Sequence, residues 1–208
     1  MKTLGHLERR THLRLLFLRG LAAGMPSNPS RETDRLASFL CIEAHNLWTE
    51  FSRAYFIAAL RSTRTIGGQP VRTIFPPGTS LHSALRQIPN ALRRHRQGRL
   101  SRLDEPPWHS RRMLLSIVRG AGISNLNQIQ AALALPSRVL DDLPTFRHFF
   151  AHRNAETAAK ARTVPARYAV PNVIHPTAFL CKYPPGRPVT VLEDWLFELE
   201  SVARAMCI

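Results

Sequence analysis

The sequence contains neither glycine nor proline from Arg31 to Ile66, and this uninterrupted stretch constrains the fold more than any other feature. Apolar residues recur along it at spacings of three and four: Leu36, Leu40, Leu47, Trp48, Phe51, Tyr55 and Ala58. This spacing places them on one face of a helix running from about Thr33 to Ser62. A helix of that length needs a partner packed along it, so we predict one arm of a helical hairpin.

The remaining segments are shorter, and they also favour helices. Apolar residues at helical spacing follow residues that can cap a helix, which predicts helices beginning after Ser80, Ser110, Ser124 and Thr190. A further helix, capped by Asp141 or Asp142 and with Pro144 in its first turn, is expected to extend to about Ala161. Residues 66–80 lack this spacing and are expected to form a loop. No stretch alternates with period two, so the chain is predicted to be all-α.

The proposed domain organisation has two parts. Residues 1–30 form a basic N-terminal helix or arm followed by a linker that holds two prolines and two serines in six residues. Residues 31–208 form one helical domain, within which residues 66–124 are an inserted basic segment. A chain of 208 residues is long enough for this arrangement.

The charge balance indicates a polyanionic partner. The sequence has 29 Lys+Arg against 14 Asp+Glu, a formal net charge of +15. Its lysines are only Lys2, Lys160 and Lys182, and a planar guanidinium suits phosphate oxygens well. The densest positive run supplies candidate RNA contacts at Arg93, Arg94, Arg96, Arg99 and Arg102. The alternative for such a run is solvated surface without a specific ligand.

The cysteine pattern and the hydropathy argue against several other classes of protein. Cys41, Cys181 and Cys207 are widely separated and no CxxC or HExxH occurs, so we predict neither a metal site, a cofactor nor a disulfide framework. No apolar run reaches membrane-spanning length, and Arg14 and Arg19 interrupt the apolar N-terminal stretch. We therefore expect a cytoplasmic protein without a membrane partner, with an organelle transit segment as the alternative.

Residues 143–154 combine histidines and arginines with aromatic residues. His148 and His152 are one helical turn apart and share a face, which Arg147 flanks. The apolar side is expected to be formed by Phe146, Phe149, Phe150 and Ala151. The polar groups would then lie, partly desolvated, at the edge of a packed surface, where a histidine can shuttle protons near neutral pH. The alternative is that both histidines are structural.

An arginine and a histidine suffice to cleave RNA without a metal ion. RNA carries its own nucleophile, the ribose 2′-hydroxyl, so the protein must remove that proton, stabilise the phosphorane and protonate the leaving 5′-oxygen. His152 can transfer protons and Arg147 can stabilise the negative charge, with His148 as a second proton carrier or an orienting group. Such a reaction leaves a 2′,3′-cyclic phosphate.

The segment from Arg147 to His152 resembles the signature of HEPN domains: arginine, then Asn, Asp or His, then three or four residues, then histidine. The likeness covers residues 33–206 in the order of the helices, although only the signature is specific. The common asparagine is replaced here by His148, which the signature accepts. Residues 1–30 lie outside the resemblance.

The resemblance implies a bundle of about four core helices that forms a homodimer with a composite cleft. It also implies a metal-independent endoribonuclease of toxin–antitoxin or antiphage defence systems, restrained by an antitoxin or a defence-complex partner. Phosphate and proton chemistry would fall to Arg147 and His152, supported by His148. Arg153 and Asn154, directly after the signature, are expected to contact RNA.

Two other functions remain open from the sequence. One is a non-catalytic RNA- or nucleotide-binding adaptor, in which residues 93–102 supply the affinity. The other is a helix-turn-helix DNA-binding regulator formed by residues 110–134. Its second helix carries four amide side chains and no arginine: Asn125, Asn127, Gln128 and Gln130.

Overall fold

The computed structural model describes residues 3–26, 30–92, 101–170 and 175–208. Within these ranges the chain forms α-helices and one small antiparallel sheet, which confirms the all-α prediction. The helices are α1 (Leu4–Ala23), α2 (Arg31–Leu60), α3 (Leu81–Gln87), α4 (Arg111–Gly120), α5 (Leu126–Leu133), α6 (Val139–His152), α7 (Ala155–Arg162), α8 (Pro176–Leu180) and α9 (Val191–Cys207). Strand β1 (Thr63–Arg64), just before the segment predicted as a loop, pairs with strand β2 (Pro70–Val71) inside that segment, and 3₁₀ turns occur at Arg102–Asp104 and Pro165–Tyr168.

The chain divides into two compact units. The first unit comprises Met1–Thr11, Trp48–Pro136 and Ser201–Ile208, and the second comprises His12–Leu47 and Ser137–Glu200. Helices α1, α2 and α9 therefore each contribute residues to both units. Leu4 and Leu15 of α1 are almost fully buried, so this helix belongs to the packed structure. The separation of residues 1–30 as an arm stays a prediction.

Three of the predicted helix starts are confirmed. The hydroxyls of Ser80 and Ser110 accept hydrogen bonds from the backbone N–H of Ser83 and Met113. At the start of α9, the Thr190 hydroxyl accepts from the Glu193 N–H, while the Glu193 carboxylate accepts from the Thr190 N–H at 2.9 Å. Such reciprocal bonds satisfy N–H groups that the first turn of a helix leaves without partners.

The residues expected to cap α5 and α6 were wrong, although α5 begins within two residues of Ser124. The hydroxyl of Ser124 bonds to the backbone of Arg72 and Pro70 instead of capping α5. Helix α6 begins at Val139, before both aspartates, and Pro144 lies inside the helix. Its first N–H donates at 3.2 Å to the carboxylate of Glu198 on α9. This cap comes from a distant part of the chain, so no local pattern could have revealed it.

The first unit uses its amide side chains for internal packing. Asn125 donates to the Tyr55 hydroxyl at 2.8 Å, and that hydroxyl donates to the Met206 carbonyl. Gln128 donates at 2.6 Å to the Ala205 carbonyl. Two of the four amides that the helix-turn-helix alternative would use for base contacts are therefore engaged within the protein.

A buried carboxylate anchors the first unit. Glu105, 3% exposed, accepts two hydrogen bonds from Arg53 (2.6 and 2.8 Å) and one from Trp108 (2.9 Å). Burial opposes ionisation of Glu105, but the Arg53 and Trp108 hydrogen bonds outweigh it and hold its pKa below the usual value. The ionised form is therefore the one that the fold stabilises.

Replacement of this carboxylate tests its role. We expect Glu105→Gln to lower the free energy of unfolding by about 2 kcal/mol, because the partly buried Arg53 loses its charged acceptor at the buried Glu105 position. Because the folded-state pKa is depressed, this contribution is present above the unfolded pKa of about 4.3 and is lost as the pH falls through the folded value. Urea unfolding at pH 7 and pH 3.5 measures both effects. Glu156→Gln, at an exposed ion pair, should leave the stability essentially unchanged.

Candidate functional site

Helix α6 is fixed in the second unit by aromatic packing. The ring of Phe146 is fully buried and lies 5.2 Å from Trp195 and 5.6 Å from Phe179, measured between centroids. Phe149 and Phe150 are also buried, which confirms their predicted side of the helix. Ala151 is exposed, so its assignment to the apolar side was wrong.

A buried polar network holds the first turn of the same helix. Trp195 donates to the Tyr168 hydroxyl at 2.7 Å, and that hydroxyl donates to Asp142 at 2.8 Å. Arg167 lies 2.7 Å from the other oxygen of Asp142, outside hydrogen-bonding geometry, so this contact is an ion pair. Burial of Asp142 raises its pKa despite the Tyr168 bond and the Arg167 charge. The network ties α6 to α9 and to the 3₁₀ turn at Pro165–Tyr168.

The two signature histidines lie together at the last turns of α6. The ring centroids of His148 and His152 are 4.5 Å apart at an interplanar angle of 61°. Both side chains are exposed in the single chain. The prediction that they would be partly desolvated was therefore wrong for the monomer. The last turns of α6 therefore expose two imidazoles to solvent, while the buried aromatic rings of the same helix hold it in place.

Arg147 differs from its neighbours in being partly buried. Its Nε atom is inaccessible to solvent and has no hydrogen-bond partner within the described ranges. A buried donor without an acceptor is costly, by about 1–3 kcal/mol, unless a ligand or another molecule supplies one. The Nε–H of Arg147 is therefore an unsatisfied donor in the described part of the single chain.

The helix ends at the signature, whereas we predicted that it would continue to Ala161. Arg153 has a left-handed backbone (φ +46°), and its N–H donates to the Phe149 carbonyl at 2.7 Å. A new helix, α7, then begins with Asn154 as its cap, and Asn154 exchanges hydrogen bonds with Thr157. His152 is thus the last helical residue, and the chain changes direction directly after it.

An ion pair accompanies this turn. The Arg153 guanidinium pairs with Asp34 of α2 and lies over the Phe150 ring, 5.6 Å from its centroid. Asp34 also accepts a hydrogen bond from the Thr177 hydroxyl. Burial opposes ionisation of Asp34, but the Thr177 bond and Arg153 outweigh it, and its pKa lies below the usual value. Arg153 and Asn154 therefore have structural partners, and their contact with RNA stays a prediction.

Substitutions at Arg153 separate its backbone role from its charge. Alanine and glycine both remove the ion pair, but only glycine adopts a left-handed conformation without steric cost. We expect Arg153→Gly to be about 1 kcal/mol more stable than Arg153→Ala. Denaturant unfolding of the two variants measures this difference. Equal stability would show that the turn after His152 is not held in the left-handed region.

Two residues near the signature were missed by the sequence analysis. Glu156 of α7 is hydrogen-bonded to Lys160, which lowers its pKa, and the charge of His148 contributes to the same shift. His175 caps α8, with its ring centroid 5.9 Å from that of Phe149. Both residues lie outside the signature spacing, and only the turn at Arg153 and the packing of α8 bring them close.

The remaining predicted RNA contacts are Arg93, Arg94, Arg96, Arg99 and Arg102. Arg93, Arg94, Arg96 and Arg99 lie outside the described residues. Arg102 is exposed in a 3₁₀ turn of the first unit, whereas the signature belongs to the second. In the described ranges, no group of three or more His, Cys, Asp or Glu residues could hold a metal ion. Within the same ranges, no helix has the length and apolar character needed to cross a membrane.

The comparisons with known proteins return no relative. No family model matches the chain, and neither the curated proteins nor the solved structures contain a significant match. The side chains at the end of α6 are therefore the basis for any functional assignment.

Proposed function

We propose that the chain is a metal-independent endoribonuclease of the HEPN type, with Arg147, His148 and His152 as its catalytic residues. The observation that carries the proposal is the exposed pair of imidazoles 4.5 Å apart beside a partly buried arginine with an unpartnered donor. Two adjacent imidazoles can act as the general base and the general acid that a phosphodiester transfer requires. An arginine beside them can stabilise the charge that develops on phosphorus.

In the proposed reaction, a histidine removes the proton from the ribose 2′-hydroxyl. The 2′-oxygen then bonds to phosphorus, and the bond from phosphorus to the 5′-oxygen breaks. The second histidine gives its proton to that 5′-oxygen, so the products are a 2′,3′-cyclic phosphate and a free 5′-hydroxyl. Arg147 binds the non-bridging oxygens and is most effective when the phosphorane carries its additional negative charge.

The proposed active form is a homodimer in which two signature helices face each other. The exposure of His148 and His152 supports this, because a second copy would exclude water from imidazoles that one chain leaves open. A dimer would also place an acceptor or a phosphate within reach of Arg147. A toxin or antiphage role, restrained by an antitoxin or defence-complex partner, is part of the same proposal.

The experiment that tests this function is the incubation of total RNA with purified protein in excess EDTA, wild type beside His152→Ala. We expect cleavage by the wild type alone, with cyclic-phosphate ends. RNA binding without cleavage by either protein would favour the adaptor alternative. Equal cleavage by both proteins would exclude His152 from the reaction.

A further inference from the structure

The first unit contains an open cavity unconnected with the signature residues. It has a volume of about 530 Å³ and lies between the first turns of α1 and the last turns of α2. Its lining residues from α1 are His6, Leu7 and Arg10, and those from α2 and the turn after it are Ala54, Ile57, Ala58, Arg61, Ser62 and Thr63. Pockets of this size commonly accept a small organic molecule.

The floor of the cavity is apolar because of the residues on α2. Ala54, Ile57 and Ala58 recur at helical spacing and share one face, and all three are only partly buried. The cavity is open at Ala54 and Ala58 because both side chains are small, and larger side chains at these positions would fill it. The cavity thus follows directly from small residues on one helix facing Leu7 on another.

The rim of the cavity is cationic. Arg10 and Arg61 are both exposed, and neither forms an ion pair within the described residues. His6 also lies at the rim, where its Nδ1 atom is 3.0 Å from the Thr3 hydroxyl, so its Nε2 atom remains for a ligand. Two guanidinium groups beside an apolar floor are complementary to a molecule with an apolar body and an anionic end.

We propose that this cavity binds a small amphipathic anion. Its apolar body occupies the floor formed by Ala54, Ile57 and Ala58, and its phosphate or carboxylate group binds Arg10 and Arg61. Guanidinium groups bind both oxyanions in the same bidentate manner, so the shared chemistry is a planar or tetrahedral oxyanion on an apolar chain. The site is independent of the proposed ribonuclease, because its residues belong to the other unit.

Calorimetric titration of the full chain with simple probes tests the proposal. Octyl phosphate and octanoate carry both parts of the ligand, inorganic phosphate carries only the anion, and octanol only the apolar chain. We expect octyl phosphate or octanoate to bind at least tenfold more tightly than phosphate or octanol. Whichever of octyl phosphate and octanoate binds more tightly identifies the anionic group, phosphate or carboxylate, that the site prefers. Equal binding of octanol would show that the arginines take no part, and no binding of either amphiphile would overturn the proposal.

Matched variants locate the binding. Arg10→Gln and Arg61→Gln should each weaken binding about tenfold, because each removes a charge-assisted hydrogen bond. The control Arg9→Gln makes the same change of charge one position away, at an exposed residue that does not line the cavity, and should leave binding unchanged. Equal weakening by Arg9→Gln would show a general charge effect and contradict the site.

Filling the cavity provides a second test. Ala58→Leu places a larger side chain on the floor and should reduce binding at least tenfold while the helical circular dichroism is retained. Ala159→Leu, at an exposed position of α7, controls for the added apolar surface. Unchanged binding by a folded Ala58→Leu protein would overturn the assignment of the floor.

Discussion

Replacement of His152 or Arg147 by alanine is expected to lower the rate of RNA cleavage by a factor of about 10²–10⁴. His152→Ala removes one of two proton carriers, and Arg147→Ala removes the cation that stabilises the phosphorane. His152 is exposed and Arg147 only partly buried, so neither change opens the aromatic core below them. Single-turnover cleavage of a labelled RNA measures the rates, and circular dichroism verifies the fold.

The control for Arg147→Ala is Arg112→Ala, because it removes an equal charge from an exposed position on α4 of the first unit. We expect Arg112→Ala to retain the wild-type rate. A parallel loss in both variants would assign the effect to weakened electrostatic attraction of RNA rather than to catalysis.

Mixing the inactive variants tests the proposed dimer. A composite site would take Arg147 from one chain and His152 from the other. A mixture of the Arg147→Ala and His152→Ala proteins should then regain part of the activity, because each mixed dimer keeps one intact Arg147 and one intact His152 on different chains. Each variant alone should remain inactive. A mixture that stays inactive, although the two variants form mixed dimers, would contradict a site shared between the chains in this way.

Phe146→Ala is expected to have the largest effect on stability, lowering the free energy of unfolding by about 3–5 kcal/mol. The side chain is fully buried against Phe150, Phe179 and Trp195, so its removal leaves a cavity and eliminates two tilted ring contacts and the edge-to-face contact with Trp195. This loss is large compared with the total stability of about 5–15 kcal/mol that is typical of proteins.

Denaturant unfolding followed by far-ultraviolet circular dichroism measures the change. Phe17→Ala is the matched control, because the Phe17 ring of α1 is 62% exposed and its loss should change stability by less than about 0.5 kcal/mol. A small effect of Phe146→Ala would mean that the last turns of α6 are not fixed by the aromatic core. The rigid placement of the signature histidines would then lose its physical basis.

The fold could be predicted from the sequence where the determining interactions are local. The stretch without glycine or proline gave α2 to within two residues at each end, and the hydroxyls of Ser80, Ser110 and Thr190 marked true helix starts. The start of α6 could not be predicted, because its cap is the carboxylate of Glu198, which lies 59 residues away in sequence.

The candidate site was predicted only in part, because some of its features depend on local spacing and others on tertiary contacts. The spacing of His148 and His152 placed them on one face, and their rings are indeed adjacent. The end of the helix at Arg153 was missed, because Ala155 to Ala161 continue a helical composition without glycine or proline. The turn instead accompanies an ion pair with Asp34, whose partnership with Arg153 arises only in the folded chain. Exposure of the histidines likewise depends on tertiary packing.

Cleavage of one defined RNA in excess EDTA tests the central claim most directly. The substrate should contain the preferred cleavage position, and a matched substrate should carry a single 2′-deoxyribose immediately before that bond. We predict that the wild-type protein cleaves the first RNA to a 2′,3′-cyclic phosphate and leaves the deoxy-substituted bond intact. Cleavage of the deoxy-substituted bond at the same rate, or a requirement for a divalent metal, would contradict attack by the 2′-hydroxyl assisted by Arg147, His148 and His152.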